Sequence, residues 1–172
     1  MLIMKKETKR DIIIYGSIIL AIILIRTFVV TPVRVNGTSM YSTLHDGEIM
    51  ILNKLDYKFN NIERFDIVVV NTGDRKIIKR VIGLPGENIR YNDNSLYVND
   101  KKVEEAYLND KTEDFDIAEL GYNRIPNDCY FVLGDNRDNS SDSRIIGCVK
   151  KSQIEGSASL VLFPFKDAGF KK

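Results

Sequence analysis

Hydrophobic positions fall into two regimes along this chain. Positions 12 to 30, IIIYGSIILAIILIRTFVV, form one apolar run broken by a single charge. A helix of that length, at ~1.5 Å per residue, spans ~28 Å, about one bilayer core. Beyond it short β-rich runs separated by turn residues take over: EIMILN at 48 to 53, DIVVVN at 66 to 71 and RKIIKRVIG at 75 to 83. These lack a helical period and predict strands. NIRY and LYV on either side of Asn92 to Ser95 read as a hairpin, and CYFVL, IIGCV and SASLVLF add three candidate strands. Residues 104 to 124 are acidic and poor in alternation, which predicts a surface excursion. The expected architecture is mainly β: a cytoplasmic N-terminus at 1–11, a transmembrane anchor at 12–30, and an extracytoplasmic β domain at 31–172 with a small inserted cap at about 86–124.

Charge orients the anchor. Lys5, Lys6, Lys9 and Arg10 precede the apolar run against Glu7 and Asp11, so the positive-inside rule places the N-terminus in the cytoplasm. Arg26 lies close enough to the end of the run for its side chain to snorkel to the headgroups. A cleaved secretory signal is the competing reading, but Arg26, Thr27, Phe28 and Val29 offer no small-x-small cleavage pattern. Across the chain 25 basic residues face 24 acidic ones, a net charge of +1, and no electrostatic pull toward nucleic acid follows. Cys129 and Cys148 are too few for a disulfide framework; one bridge and two buried free thiols both remain open. With one histidine besides, a structural zinc site has little to draw on.

Three segments carry candidate chemistry. As a strand, RKIIKRVIG puts Ile77, Lys79 and Val81 on one face and Ile78, Arg80 and Ile82 on the other. Burial between two β-branched neighbours disfavours an ammonium, so Lys79 is a candidate general base near neutrality, the plain alternative being a lysine that snorkels to the surface. Ser39 follows Gly37 and Thr38 in VNGTSMYSTL, a loop whose glycine permits close approach to a substrate carbonyl. His45 lies six residues from Ser39 in LHDGE and reads as a turn residue, because a serine–histidine dyad needs adjacency in space, which closeness along the chain does not supply. Residue 42 is serine, so no SxxK pattern is present. GDNRDNSSDSR at 134 to 144 packs three aspartates and two arginines into one loop, suited to bidentate ion pairs. Its alternatives are a solvated turn or a calcium loop, and the two arginines argue against a cation there.

Taken together, LIRTFVVTPVRVNGTSMYSTL, RFDIVVV, IIKRVIGLPGE and GDNRDNSSDSR with Gly147, in this order and at this spacing, resemble the type I signal peptidases, in particular the short single-anchor Gram-positive form. The resemblance implies a serine endopeptidase of the cell membrane that removes signal peptides from secretory preproteins after Ala-x-Ala sites, through an acyl-enzyme. Ser39 would be the nucleophile and neutral Lys79 its base. Ser140 would hydrogen-bond and orient Lys79, Asp142 and Arg144 would form a supporting ion pair, and Asp135 and Arg137 would be architectural. The N–H of Ser39 would hold the oxyanion, with a second donor from the segment at Gly37. No cofactor or metal is implied; the lipid bilayer and the export translocon are the expected surroundings. Two departures stand out: Ser42 where the family has proline, and Phe65 where it has glycine. A self-cleaving serine/lysine protease of the SOS-repressor kind shares the dyad but is soluble, and a catalytically dead, membrane-tethered binding domain is the alternative from another class.

Overall fold

The structure, a computed structural model, describes residues 6–171, with the backbone alone at 6 and 7; the first five residues of the expected cytoplasmic segment lie outside it. Helix α1, Lys6–Phe28, carries an apolar window of mean hydropathy 2.1, none of it buried against the rest of the chain. It ends two residues before the apolar run does, because Val30 already belongs to strand β1, Val30–Arg34. Lys54 closes the helix end, its Nζ donating to the carbonyl of Thr27 at 2.9 Å and its backbone N–H to that of Val29 at 2.9 Å. A cation at a helix C-terminus satisfies orphan carbonyls and opposes the helix dipole.

Among the described residues twelve strands follow the helix. After β1 come β2 (Ile49–Asn53), a short helix α2 (Asp56–Phe59), β3 (Ile67–Asn71), β4 (Lys76–Gly83), β5 (Ile89–Asn92), β6 (Ser95–Val98), β7 (Lys101–Val103), β8 (Phe115–Asp116) and β9 (Cys129–Leu133). A short helix α3 (Ser143–Ile146), β10 (Val149–Lys150), β11 (Ile154–Phe163) and β12 (Gly169–Phe170) complete the chain. The main sheet has the order β1-β2-β11-β3-β4-β9-β10, with β12 on β11, and a second sheet has the order β7-β6-β5-β8. All pairings are antiparallel. Pro32 sits in β1, an edge strand, where its missing N–H costs no ladder bond.

Central strand β3 is a run of β-branched residues buried on both faces. Ile67 and Val69 pack with Val35, Met40, Leu44, Met50 and Leu52, while Val68 and Val70 pack with Val81, Tyr130 and Val132. A third cluster joins the two sheets, with Ile82, Phe131 and Leu133 from the main sheet meeting Ile89, Tyr91, Leu96 and Val98 from the second.

Two readings of the pattern are corrected. IIGCV is not one strand: Ile145 and Ile146 belong to α3, capped by the Asp142 side chain, and only Val149 enters β10. The segment 104–124 is more than a surface excursion, since it contributes β8 and buries Thr112 and Ile117. A capping box formed by Asp116 and Glu119 opens its short 3-10 turn. Cys129 and Cys148 are both free thiols.

Arg80 is wholly buried. Its Nε and Nη2 donate to the two carboxylate oxygens of Asp135 at 2.9 and 2.6 Å, Nη1 donates to the carbonyl of Phe65 at 3.0 Å, and the guanidinium lies 3.8 Å from the centre of the Tyr107 ring. Asp135→Asn is expected to cost about 3–5 kcal/mol, because it strands a buried guanidinium. Asp100→Asn at the exposed Arg90–Asp100 pair should stay within about 0.5 kcal/mol of wild type. Denaturant titration of the solubilised protein checks both.

Candidate active site

The loop after β1 is held at both ends by its apolar residues. Val35, Met40 and Leu44 are buried in the core beneath it, and Val35 exchanges backbone bonds with Glu48 and Gly47 at 2.8 and 2.9 Å. Between these anchors Gly37 adopts φ +86, a left-handed conformation suited to glycine, and its N–H donates to Asp46 Oδ1 at 2.7 Å. Ser39 sits at the loop's turn, half-buried.

GDNRDNSSDSR grips this loop from the other side. Asn136 donates from its side chain to the carbonyl of Thr38 at 3.1 Å and from its backbone to that of Ser39 at 3.1 Å. Asn139 donates to Thr38 Oγ1 at 2.9 Å. Thr43 Oγ1 donates to Asp135 Oδ2 at 2.6 Å, so the carboxylate that neutralises Arg80 also ties down the loop of Ser39. Gly134 lies against it so closely that an added Cβ would run into the Ser39 carbonyl oxygen and the Ser140 hydroxyl.

Strand β4 supplies the lysine. Lys79 pairs with Val68 across the β3–β4 ladder and is 2% exposed. Its Nζ lies 2.6 Å from Ser39 Oγ and donates to the carbonyl of Ile78 at 3.0 Å. Burial pushes the ammonium down to about 8; Asp142 opposes the fall, Arg75 adds to it and Asp135 opposes it. A buried amine that sheds its proton near pH 8, in contact with a hydroxyl, can in its neutral form take that hydroxyl's proton.

The supporting residues divide. Asp142 is fully buried and receives Arg144 in a bidentate pair, Nε to Oδ1 at 3.0 Å and Nη2 to Oδ2 at 2.9 Å, while Oδ2 also accepts the N–H of Gly134 at 3.1 Å. Arg144 donates onward to the carbonyl of Arg137 at 2.6 Å. Arg137 fastens the loop to the second sheet through Glu105 at 2.6 Å, Thr112 at 2.7 Å and the Tyr91 hydroxyl at 2.9 Å. Asp135 and Arg137 therefore sit in separate ion pairs, each with a partner outside the loop.

Two expected contacts take another form. Ser140 does not bond Lys79: its hydroxyl is buried without a hydrogen-bond partner among the described residues, while Nζ faces Ser39 and Ile78. The N–H of Gly37 is occupied by Asp46 and is not a free oxyanion donor. Among the described residues no hydrogen bond reaches the N–H of Ser39, which stays available. His45 lies outside the dyad, its Nδ1 3.4 Å from Glu48.

Sequence reasoning missed Arg80, Asp46, Asn136 and Asn139 as supports of this site. Arg80 had a readable signal, a charge between Ile78 and Ile82 on an otherwise apolar strand face. The other three form bonds across 9 to 101 residues of chain, which periodicity does not register. Beside the dyad opens a cleft of about 460 Å³, walled by Val35, Met40, Ile77 and Ile78.

A family model described as signal peptidase, peptidase S26, matches residues 9–163. Signal peptidase I of Bacillus caldolyticus is 44% identical over 158 residues, covering 86% of this chain and 87% of that protein. Signal peptidase IB of Staphylococcus aureus is 37% identical over 179 residues, covering 95% and 94%. Among solved structures, a signal peptidase I from Enterococcus faecalis V583 superposes with a TM-score of 0.54 at 37% identity, covering 57% of this chain and 97% of that one.

Gly134→Ala should lower kcat by about a hundredfold in a folded protein, because displacing the Ser39 backbone by even ~1 Å spoils the attack geometry. Peptide hydrolysis alongside circular dichroism reads out both halves of that expectation.

Proposed function

The chain belongs to the signal peptidase family, peptidase S26, and as such is a serine endopeptidase that removes signal peptides from preproteins; from that premise we propose that Ser39 and Lys79 perform the cleavage. The observation that carries this reading is the 2.6 Å contact between Ser39 Oγ and the Nζ of a buried lysine. Neutral Lys79 accepts the Ser39 proton as Oγ attacks the scissile carbonyl, and the N–H of Ser39 steadies the oxyanion. Collapse of the tetrahedral intermediate passes the proton from Lys79 to the leaving amine and leaves an acyl-enzyme. Water then gives a proton to Lys79 and attacks the ester; as the bond to Ser39 Oγ breaks, Lys79 returns that proton to Oγ and the cleaved signal peptide leaves with a free carboxylate.

The remaining assignments rest on the same reading. Asp142 and Arg144 form the ion pair that holds the loop behind the dyad. Ser140 is assigned the orienting role because its buried, unpartnered hydroxyl is free to accept a hydrogen bond from the ammonium of Lys79, which has a third N–H beyond its contacts with Ser39 and Ile78. The preprotein lies extended beside 33–38 and 76–79, with small side chains at −1 and −3. Residues 31–172 are the catalytic unit and 86–124 its cap. Helix α1 and the family are consistent with a membrane-anchored enzyme. In our reading the N-terminus is cytoplasmic, the catalytic unit faces outward at the cell membrane, and preproteins arrive through the bilayer and the export translocon.

Incubating the detergent-solubilised protein with an Ala-x-Ala preprotein should give a cut after the second alanine, located by mass spectrometry. Ser39→Ala and Lys79→Ala, both folded, should lose on the order of 10³-fold or more. A folded wild type that cut no preprotein would favour an inactive tethered domain instead. Because the base must be neutral, kcat/KM should rise with pH to half its plateau near 8 and lie roughly a hundredfold below the plateau two pH units lower. A flat profile from pH 6 to 9 would remove Lys79 as the base.

A further inference from the structure

Cys129 and Cys148 stand on either side of GDNRDNSSDSR, and the dyad chemistry uses neither. The β9–β10 ladder pairs Val149 with Tyr130 and Lys150 with Cys129, which sets Cys148 diagonally across from Cys129. Val149 and Tyr130 pack on one face of the sheet, with Val68 and Val70. Cys129 belongs to the cluster on the other face, between the two sheets, and Cys148 packs against that same cluster. Strand alternation therefore turns both thiols to one side. Each feels the other: burial, and next the neighbouring Cys148 thiol, push the Cys129 thiol up to about 12. Cys148 first, then burial and Cys129, raise the pKa of the adjacent Tyr122 hydroxyl.

The two thiols differ in access. Cys129 is 4% exposed and its Sγ donates to Asp128 Oδ1 at 3.7 Å, whereas Cys148 is partly exposed. Diagonal neighbours on paired strands lie ~7–8 Å apart between Cα atoms, and a disulfide spans up to ~6.8 Å, so a shift of ~1 Å brings the pair within bonding reach. Cys148 is placed to make that shift, because it lies between Gly147, at φ +78, and the first rung of the β10 ladder at Val149. β10 is an edge strand with two paired residues. A cross-link there secures the far end of 130–147, the segment that carries Asp135, Ser140, Asp142 and Arg144.

We infer that Cys129 and Cys148 are an oxidisable pair, entered by a small-molecule disulfide at Cys148 and closing into a cross-link that staples 130–147; neither dyad residue takes part. The Cys148 thiolate attacks one sulfur of the small disulfide RSSR, forms Cys148–S–S–R and expels RS⁻, which takes up the proton that Cys148 lost. Cys129 then gives its proton to water, attacks Sγ of Cys148 and expels the second RS⁻, which is protonated in turn. Two thiols are oxidised and one RSSR is reduced to two RSH. Oxidants of this class persist outside the cytoplasm, the side on which the catalytic unit is proposed to lie.

The test treats the folded, full-length protein in detergent with oxidised glutathione and weighs it intact, with urea-unfolded protein as the control that the reagent reacts. Wild type should lose two hydrogens and retain no glutathione, and its unreduced digest should join the peptides of Cys129 and Cys148. Cys129→Ser should stop with one glutathione on Cys148, whereas Cys148→Ser should stay unmodified, because its remaining thiol is buried. The cross-linked wild type should melt about 5 °C or more above the reduced protein by circular dichroism, and dithiothreitol should reverse the gain. Glutathione retained on wild-type Cys148, dimers linked through it, or no reaction of the folded protein would overturn the pair. An unchanged or lower melting point would overturn the staple. None of these readouts needs peptidase activity, so failure of the dyad reading leaves them unaffected.

Discussion

The buried ion pair of Arg80 and Asp135 is the constraint on which the other contacts of the site depend. A guanidinium cannot shed its proton inside a protein, so one placed in the core must be met by a carboxylate and have its remaining donors satisfied. Here the demand is filled from three distant stretches of chain: Asp135 from the loop after β9, the carbonyl of Phe65 from the approach to β3, and Thr43 from the loop of Ser39. Satisfying one charge therefore brings the Ser39 loop, strand β4 and GDNRDNSSDSR into a single arrangement.

The residue before Arg80 meets the opposite fate. Lys79 enters the same interior from the other face of β4, beside Val68, and among the described residues forms no salt bridge with a carboxylate. Asp142 lies near enough to raise its proton affinity but is bound by Arg144, and burial outweighs it. An amine, unlike a guanidinium, can answer burial by giving up its proton. Adjacent basic residues on one strand thus become a permanent charge that organises the site and an amine that burial drives toward its neutral form.

The two departures from the family pattern fall at left-handed backbone positions. Ser42 has φ +84, which a proline ring forbids, so the turn after Ser39 takes a path that the family's proline would exclude. Phe65 has φ +73, a conformation natural to the glycine it replaces. Its ring packs edge-on against Tyr107 at 5.3 Å, in contact with the core between the two sheets, and its carbonyl stays on Arg80. Phe65 thereby adds apolar contact between the sheets while keeping the backbone geometry that Arg80 requires.

Local pattern determined a good deal of this protein. The long apolar run, the strands at β2, β3, β4, β9 and β11 and the hairpin of β5 and β6 were legible because side-chain period is a property of neighbouring residues. Ser39, Lys79 and the charged loop stood out as candidates because their residue types and motif order are sequence facts. Other features were not legible. Ile145 and Ile146, apolar enough for a strand, turn into α3 because the Asp142 side chain caps them. Asp46 takes the N–H of Gly37, Asn136 and Asn139 hold Thr38, and Ser140 is left unbonded. Only the tertiary structure decided these, because each depends on which groups remain in reach once the sheets have closed. A buried polar atom is satisfied by its neighbours in space, and those neighbours lie far away along the chain.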